Sequence, residues 1–233
     1  MRADELRAWS VHGLTALGPV LAFLALGAIR ERDWRAAMLW LGAAVVIDTF
    51  DGTLARRFRV REVLPDFDGK MVDWVSDFLN FVFIPAVLLF EAGLVPERLR
   101  FACVLLVLFS AAYHFGNRKG VTDDFHFRGF PAFWNLVVYY LLILGLPLAW
   151  NAALVLLFFV LHFVPVRIVY PTHARRFRVQ VAGLTVLWLV NTLLVVAAFP
   201  DVPPWLVWLS LLFLGWMVAL GLASTPRRIP AGA

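Results

Sequence analysis

Residues 48–77 read DTFDGTLARRFRVREVLPDFDGKMVDWVSD. They place four carboxylates where the flanking sequence calls for hydrocarbon, between LGAAVVI (41–47) and FLNFVFIPAVLLF (78–90). A charge at mid-bilayer costs about 2.5–3.5 kcal/mol on insertion scales, so a cluster of acids there needs a compensating partner. Asp48 and Asp51 are three residues apart, and Asp73 and Asp77 are four apart. On helices each pair shares a face, with about one turn between its members. Two such faces meeting make a cage of oxygen ligands, which is what a hard divalent cation requires.

The surrounding composition agrees with a membrane setting. The chain has 233 residues, is 62% hydrophobic and only 16% charged, with a mean hydropathy of +0.80. An ordinary soluble domain carries about 25% charged residues, so the fold class expected is an all-α polytopic integral membrane protein. The net charge of +5 does not point to nucleic acid, because the arginines sit in short loops between apolar runs. Topology and anionic lipid explain that placement. The single cysteine, Cys103, lies in an apolar run and reads as a helix-packing residue.

Taken in order, the chain predicts eight spans. Residues 1–9 are a polar lead-in to a first helix, Val11 to Ile29. That run is long enough to span and has no evident cleavage site, so no cleaved leader is expected. A second helix runs from Trp34 to Arg56. Residues 57–68 form a loop or short surface helix, with Asp66 and Asp68 as solvated loop residues, and a third helix covers Gly69 to Phe90. A fourth runs from Phe101 to Phe115. The fifth, Pro131 to Ala149, reverses at Trp150 and Asn151 into a sixth ending near Val169. The seventh spans Val179 to Phe199 and the eighth Trp205 to Ala223. Eight spans put both termini on one side. That side holds 16 of the 21 Lys and Arg residues, which makes it cytoplasmic.

The positions Asp48-x2-Asp51-Gly52-x2-Ala55-Arg56-x12-Gly69-x3-Asp73-x3-Asp77 resemble the signature of the CDP-alcohol phosphotransferases. The twelve residues between Arg56 and Gly69 exceed what most of that family carries and resemble its bacterial phosphatidylcholine synthase branch. Phe127-x-Gly129-Phe130-Pro131, followed by Trp134 and Asn135, is similar to an element of the same branch. The resemblance implies one membrane domain over 1–233, with a six-helix catalytic core at 1–170 and an added two-helix hairpin at 171–233. It further implies a homodimer in the bacterial inner membrane. The implied reaction moves the phosphatidyl group of CDP-diacylglycerol to choline and releases CMP.

By the same resemblance, Asp48, Asp51 and Asp73 bind metal, with two ions of Mn²⁺ or Mg²⁺, and Asp77 combines metal contact with general-base work on the acceptor hydroxyl. Gly52, Ala55, Arg56 and Gly69 face CDP-diacylglycerol. The small residues let the two helix ends approach each other and the cytidine, and Arg56 offers a fork for the pyrophosphate. A quaternary ammonium is held by aromatic faces and carboxylates. Trp134, Asn135, Tyr139 and Phe130 are the candidates for choline, with Trp74, Phe78 and Tyr113 also near that end. Since the chain has 35 aromatic residues, packing or interfacial anchoring competes for each of them.

Three alternatives stand beside this expectation. The acceptor could be serine, a glycerol phosphate or an inositol phosphate, for which Arg118, Lys119, Arg128 and Arg175 supply cations. The four acids could instead form the intramembrane site of a divalent-cation transporter. They could also be ion-paired with Arg56, Arg57, Arg59, Arg61 and Lys70.

Overall fold

The computed structural model describes residues 2–117, 126–128, 130–164, 167–169 and 178–224. The first apolar run is two helices, α1 (Ala3–Thr15) and α2 (Leu17–Arg30), so most of the expected polar lead-in is itself helical. Asp4 and Glu5 in the first turn suit the positive end of a helix dipole. Pro19 accounts for the break at Ala16, because it has no N–H for the Thr15 carbonyl four residues back and its ring crowds that carbonyl. Ala16 keeps helical angles (φ −67°, ψ −12°), so residues 3–30 continue as one run of 28 residues.

A tight turn follows, with Arg32 in the left-handed region (φ 59°). Asp33 then accepts the Ala36 N–H at 2.9 Å and starts α3 (Trp34–Arg57). A short α4 (Val60–Val63) leads to α5 (Gly69–Asp77). Asp68, expected as a solvated loop residue, is the cap of α5 and accepts the N–H groups of Lys70 and Met71 at 3.1 and 3.2 Å. The third span is not one uniform helix: a π-helical segment, Phe78–Phe83, separates α5 from α6 (Ile84–Glu91). Pro85 explains it, since the ring has no N–H for the Phe81 carbonyl and forces the preceding turn wider.

The later elements are α7 (Glu97–Gly116), α8 (Trp134–Leu144), α9 (Leu148–Phe163), α10 (Arg178–Ala198) and α11 (Pro204–Ser224). The fifth and sixth expected helices are corrected here. The first of them starts at Trp134 rather than Pro131 and stops at Leu144, where Gly145 takes a left-handed angle (φ 57°). Gly145 and Pro147 form the break, and Trp150 and Asn151 lie inside α9. Glycine just past a helix end followed by proline is a standard stop. The second ends at Phe163, and Arg167–Val169 is instead a strand, β2, antiparallel to β1 (His126–Arg128).

Four helices are long and apolar enough to cross a membrane, namely Ala3–Arg30, Trp34–Arg57, Gly69–Glu91 and Glu97–Gly116. Four shorter apolar stretches, Trp134–Leu144, Leu148–Phe163, Gly183–Ala198 and Pro204–Trp216, occupy the places of the other expected spans. The protein is thus an all-α polytopic membrane protein with a minor two-stranded ribbon. Large apolar side chains point outward, as for Phe23, Phe101 and Leu212, which are 73%, 67% and 68% exposed. In lipid that exposure costs nothing, and helices associate instead through small residues and polar contacts.

Met1–Phe115 with Ala132–Leu156 form one compact unit, which contains all of residues 48–77; Gly116–Pro131 with Leu157–Ala233 form the other. Within the second, Asn191 Nδ2 donates to the Leu206 carbonyl at 3.2 Å, tying α10 to α11. Within the first, Asn151 Nδ2 donates to the Leu94 carbonyl at 2.7 Å. The α2–α3 pair there is built on small residues. Gly18, Ala22, Ala25 and Ile29 are the buried residues of α2, and those of α3 include Ala37, Leu41 and Ala44.

Gly18 also meets the third span. Asn80 in the π segment is 1% exposed and donates through Nδ2 to the Gly18 carbonyl at 2.9 Å and to the Ser76 carbonyl at 3.0 Å. A Cβ at Gly18 would collide with the Ser76 hydroxyl and stand 2.8 Å from its Cβ, whereas one at Gly27 would meet nothing within 4 Å. Gly18→Ala is therefore expected to destabilise the protein by about 1–3 kcal/mol, the usual cost of overpacking. Gly27→Ala should be neutral. Thermal unfolding in detergent, with the two variants compared side by side, checks this.

Candidate metal centre

The last turns of α3 and the first turns of α5 bring the acids together. Asp48, Asp73 and Asp77 each offer a carboxylate oxygen, and these oxygens all lie within 4.8 Å of one another. Two oxygens bound to one hard cation at about 2.0–2.6 Å can be no more than about 5 Å apart. The triangle meets that limit, and its all-oxygen donor set suits Mg²⁺ or Mn²⁺ over softer metals. At an effective dielectric of about 20, each pair of charges at this spacing repels by roughly 3 kcal/mol, so a cation there would relieve three repulsions at once.

The fourth acid behaves differently. Asp51 is 6% exposed and stands outside the triangle, within electrostatic reach of all three members. Its Oδ2 accepts a hydrogen bond from Thr15 Oγ1 at 2.8 Å. Among the described residues, the ion pair found is Arg7 with Asp4, and no Lys or Arg makes a direct ion pair with a motif acid, Lys70 acting on Asp73 only from a longer distance. Ion pairing with Arg56, Arg57, Arg59, Arg61 and Lys70 is thus not how these carboxylates are held. Lys70 instead lies over the Trp74 ring, 4.8 Å from its centroid.

The small residues divide by what they touch. A Cβ at Gly52 would meet only Arg56 Nη1, at 3.5 Å, and Arg56 is exposed, donating from Nη2 to Thr53 Oγ1 at 3.2 Å. That side is open. Ala55 packs against the cluster of Ala8, Val11 and Val60, so it joins α3 to α1 and α4. Gly69 makes room for His12 of α1: a Cβ there would strike the imidazole, 2.8 Å from Nδ1. The nearest neighbour for which Gly69 leaves space is thus on α1. His12 stacks on Phe67 at 4.4 Å and lies edge-on to Trp9 at 6.0 Å, which pins the start of α5 to α1.

Sequence reasoning overlooked both Thr15 and His12. The signal was present, because Ala8, Val11, His12 and Thr15 recur at helical spacing and are the buried residues of α1. Two polar side chains on the buried stripe of an apolar helix need partners.

Three of the choline candidates, Trp134, Asn135 and Tyr139, lie on α8. Trp134 is 0% exposed and offers no open face to a ligand in this conformation. Asn135 and Tyr139, on α8, are half-buried, and the Asn135 Oδ1 is buried without a hydrogen-bond partner among the described residues. Phe130 packs on Phe158 at 4.6 Å and His162 at 5.3 Å. Of the alternative cations, Arg118, Lys119 and Arg175 lie outside the described residues.

No family model matches the chain. It is similar to the phosphatidylcholine synthase of Pseudomonas aeruginosa, 38% identical over 201 residues covering 86% of this chain and 84% of the relative. The phosphatidylcholine synthase of Rhizobium meliloti is 34% identical over 203 residues, 87% of this chain and 84% of its own. That of Bradyrhizobium diazoefficiens is 41% identical over 188 residues, 80% and 70%.

The contact between Gly69 and His12 can be tested by a double-mutant cycle. Gly69→Ala should lower the unfolding temperature in detergent, and His12→Ala in the same chain should recover part of that loss. The coupling expected between two groups in contact is about 0.5–3 kcal/mol.

Proposed function

The chain belongs to the phosphatidylcholine synthase family, and from that premise we propose that it transfers the phosphatidyl group of CDP-diacylglycerol to choline and releases CMP. The observation that carries the chemistry is the triangle of Asp48, Asp73 and Asp77 oxygens within 4.8 Å. The names of the relatives support choline as acceptor over serine, a glycerol phosphate or an inositol phosphate.

In this reading Asp48, Asp51, Asp73 and Asp77 hold the metal. A bound divalent cation, Mn²⁺ or Mg²⁺ and by family resemblance a pair of them, supplies charge neutralisation of the pyrophosphate and polarisation of the attacked phosphorus. Asp77 takes the proton of the choline hydroxyl as the choline oxygen bonds to the β-phosphorus. The phosphoanhydride bond breaks, and its electrons leave with CMP. Arg56 and Gly52, on the open side of α3, bind the donor pyrophosphate, and Ala55 and Gly69 shape the same end. Asn135 and Tyr139, on α8, are proposed for the choline side.

The six-helix core is proposed to carry catalysis and the last two helices to be an addition to it. The Lys and Arg distribution supports an active site and both termini on the cytoplasmic side of a bacterial inner membrane, and family resemblance supports a homodimer.

Purified protein in detergent with CDP-diacylglycerol and Mn²⁺ should release CMP only when choline is added. Asp77→Asn should lower that rate by about 10²–10⁴-fold, the usual contribution of a general base. Release with serine or an inositol phosphate but not with choline would replace the acceptor and keep the acidic mechanism. Absence of release with every acceptor would overturn the transferase reading.

A further inference from the structure

We propose that Thr15 is a positioning residue for Asp51, fixing which of its carboxylate oxygens turns toward a bound divalent cation. The inference rests on the metal reading of the acidic cluster and adds to it a partner from outside residues 48–77. Thr15 Oγ1 and Asp51 Oδ2 are 2.8 Å apart, and the two residues are 7% and 6% exposed. Thr15 Oγ1 also lies 3.3 Å from the Val11 carbonyl. A hydroxyl has one proton to give, and the shorter contact to an ionised acceptor takes it.

That hydrogen bond commits Oδ2 and leaves Oδ1 as the free oxygen. A carboxylate ligand otherwise rotates about its last torsion, which is broad, so an unheld Asp51 would sample a range of carboxylate orientations. Groups that orient a metal ligand in this way commonly change affinity by about 10–100-fold when removed. The hydroxyl is itself held in place. Thr15 is the last residue of α1, directly before the break imposed by Pro19, and His12 one turn earlier is locked against Gly69 and Phe67. Asp51 has no other hydrogen-bond donor among the described residues, so this bond decides its orientation.

The test measures Mn²⁺ binding to detergent-purified protein by electron paramagnetic resonance of the free ion, alongside thermal unfolding without metal. Thr15→Val keeps the side-chain shape and removes the donor; it should raise the Mn²⁺ dissociation constant by about 10-fold or more and, because the buried Asp51 carboxylate loses its donor, lower the metal-free unfolding temperature. Thr15→Ser, which restores the hydroxyl, should bind near the wild-type value, and Thr15→Ala repeats the loss with a residue that any helix accepts. Wild-type affinity in the Val and Ala variants, with weakened binding in Asp51→Asn, would overturn the positioning role and leave the metal site standing. Absence of Mn²⁺ binding by the wild-type protein would overturn the metal reading and this inference with it.

Discussion

Repulsion among carboxylates is the constraint on which the rest of this structure depends. Three carboxylates with oxygens within 4.8 Å of one another repel when all are charged. The protein must hold them there by packing elsewhere, at helix ends, where α3 finishes and α5 begins. Placing the acids at the ends of spans also spares them the hydrocarbon midplane, where each would cost most.

The opposing force comes from the first helices. The small-residue stripe of α2 lets α3 approach closely, and Gly18 admits Ser76 of α5 with almost no space between them. Asn80, buried in the π segment one turn beyond Asp77, hydrogen-bonds the backbone of α2 at the same crossing. At the other end His12 sits over Gly69. The acid-bearing start of the third span is thus clamped to α1 and α2 from both sides. The widened turn at Phe78–Phe83 follows directly after the last acid.

Much of this was readable from local patterns. Spacings of three and four put each acid pair on one helix face, and the apolar runs placed the first four spans to within a few residues at most ends. The resemblance to the phosphotransferase signature identified the acids before their geometry was known. Hydropathy continues through Gly145 and Pro147 and so extends the fifth helix to Ala149, although backbone chemistry ends it at Leu144. Asp68 is the exposed loop residue its surroundings predict, and the structure adds that it caps α5. The smallness of Gly69 says that something approaches, and the structure adds that His12 does.

By itself the sequence determined the membrane class, the order of the spans and the identity of the acids, because hydropathy, helical period and charge are properties of neighbours along the chain. Only the tertiary structure decided that three acids form the triangle while Asp51 turns to Thr15, and that α1 supplies the contacts on which both acid-bearing helices rest. Thr15 and Asp51 are 36 residues apart, and Gly18 and Asn80 are 62 apart. Contacts at such separations arise from the packing of whole helices, in which every side chain on the facing stripes takes part.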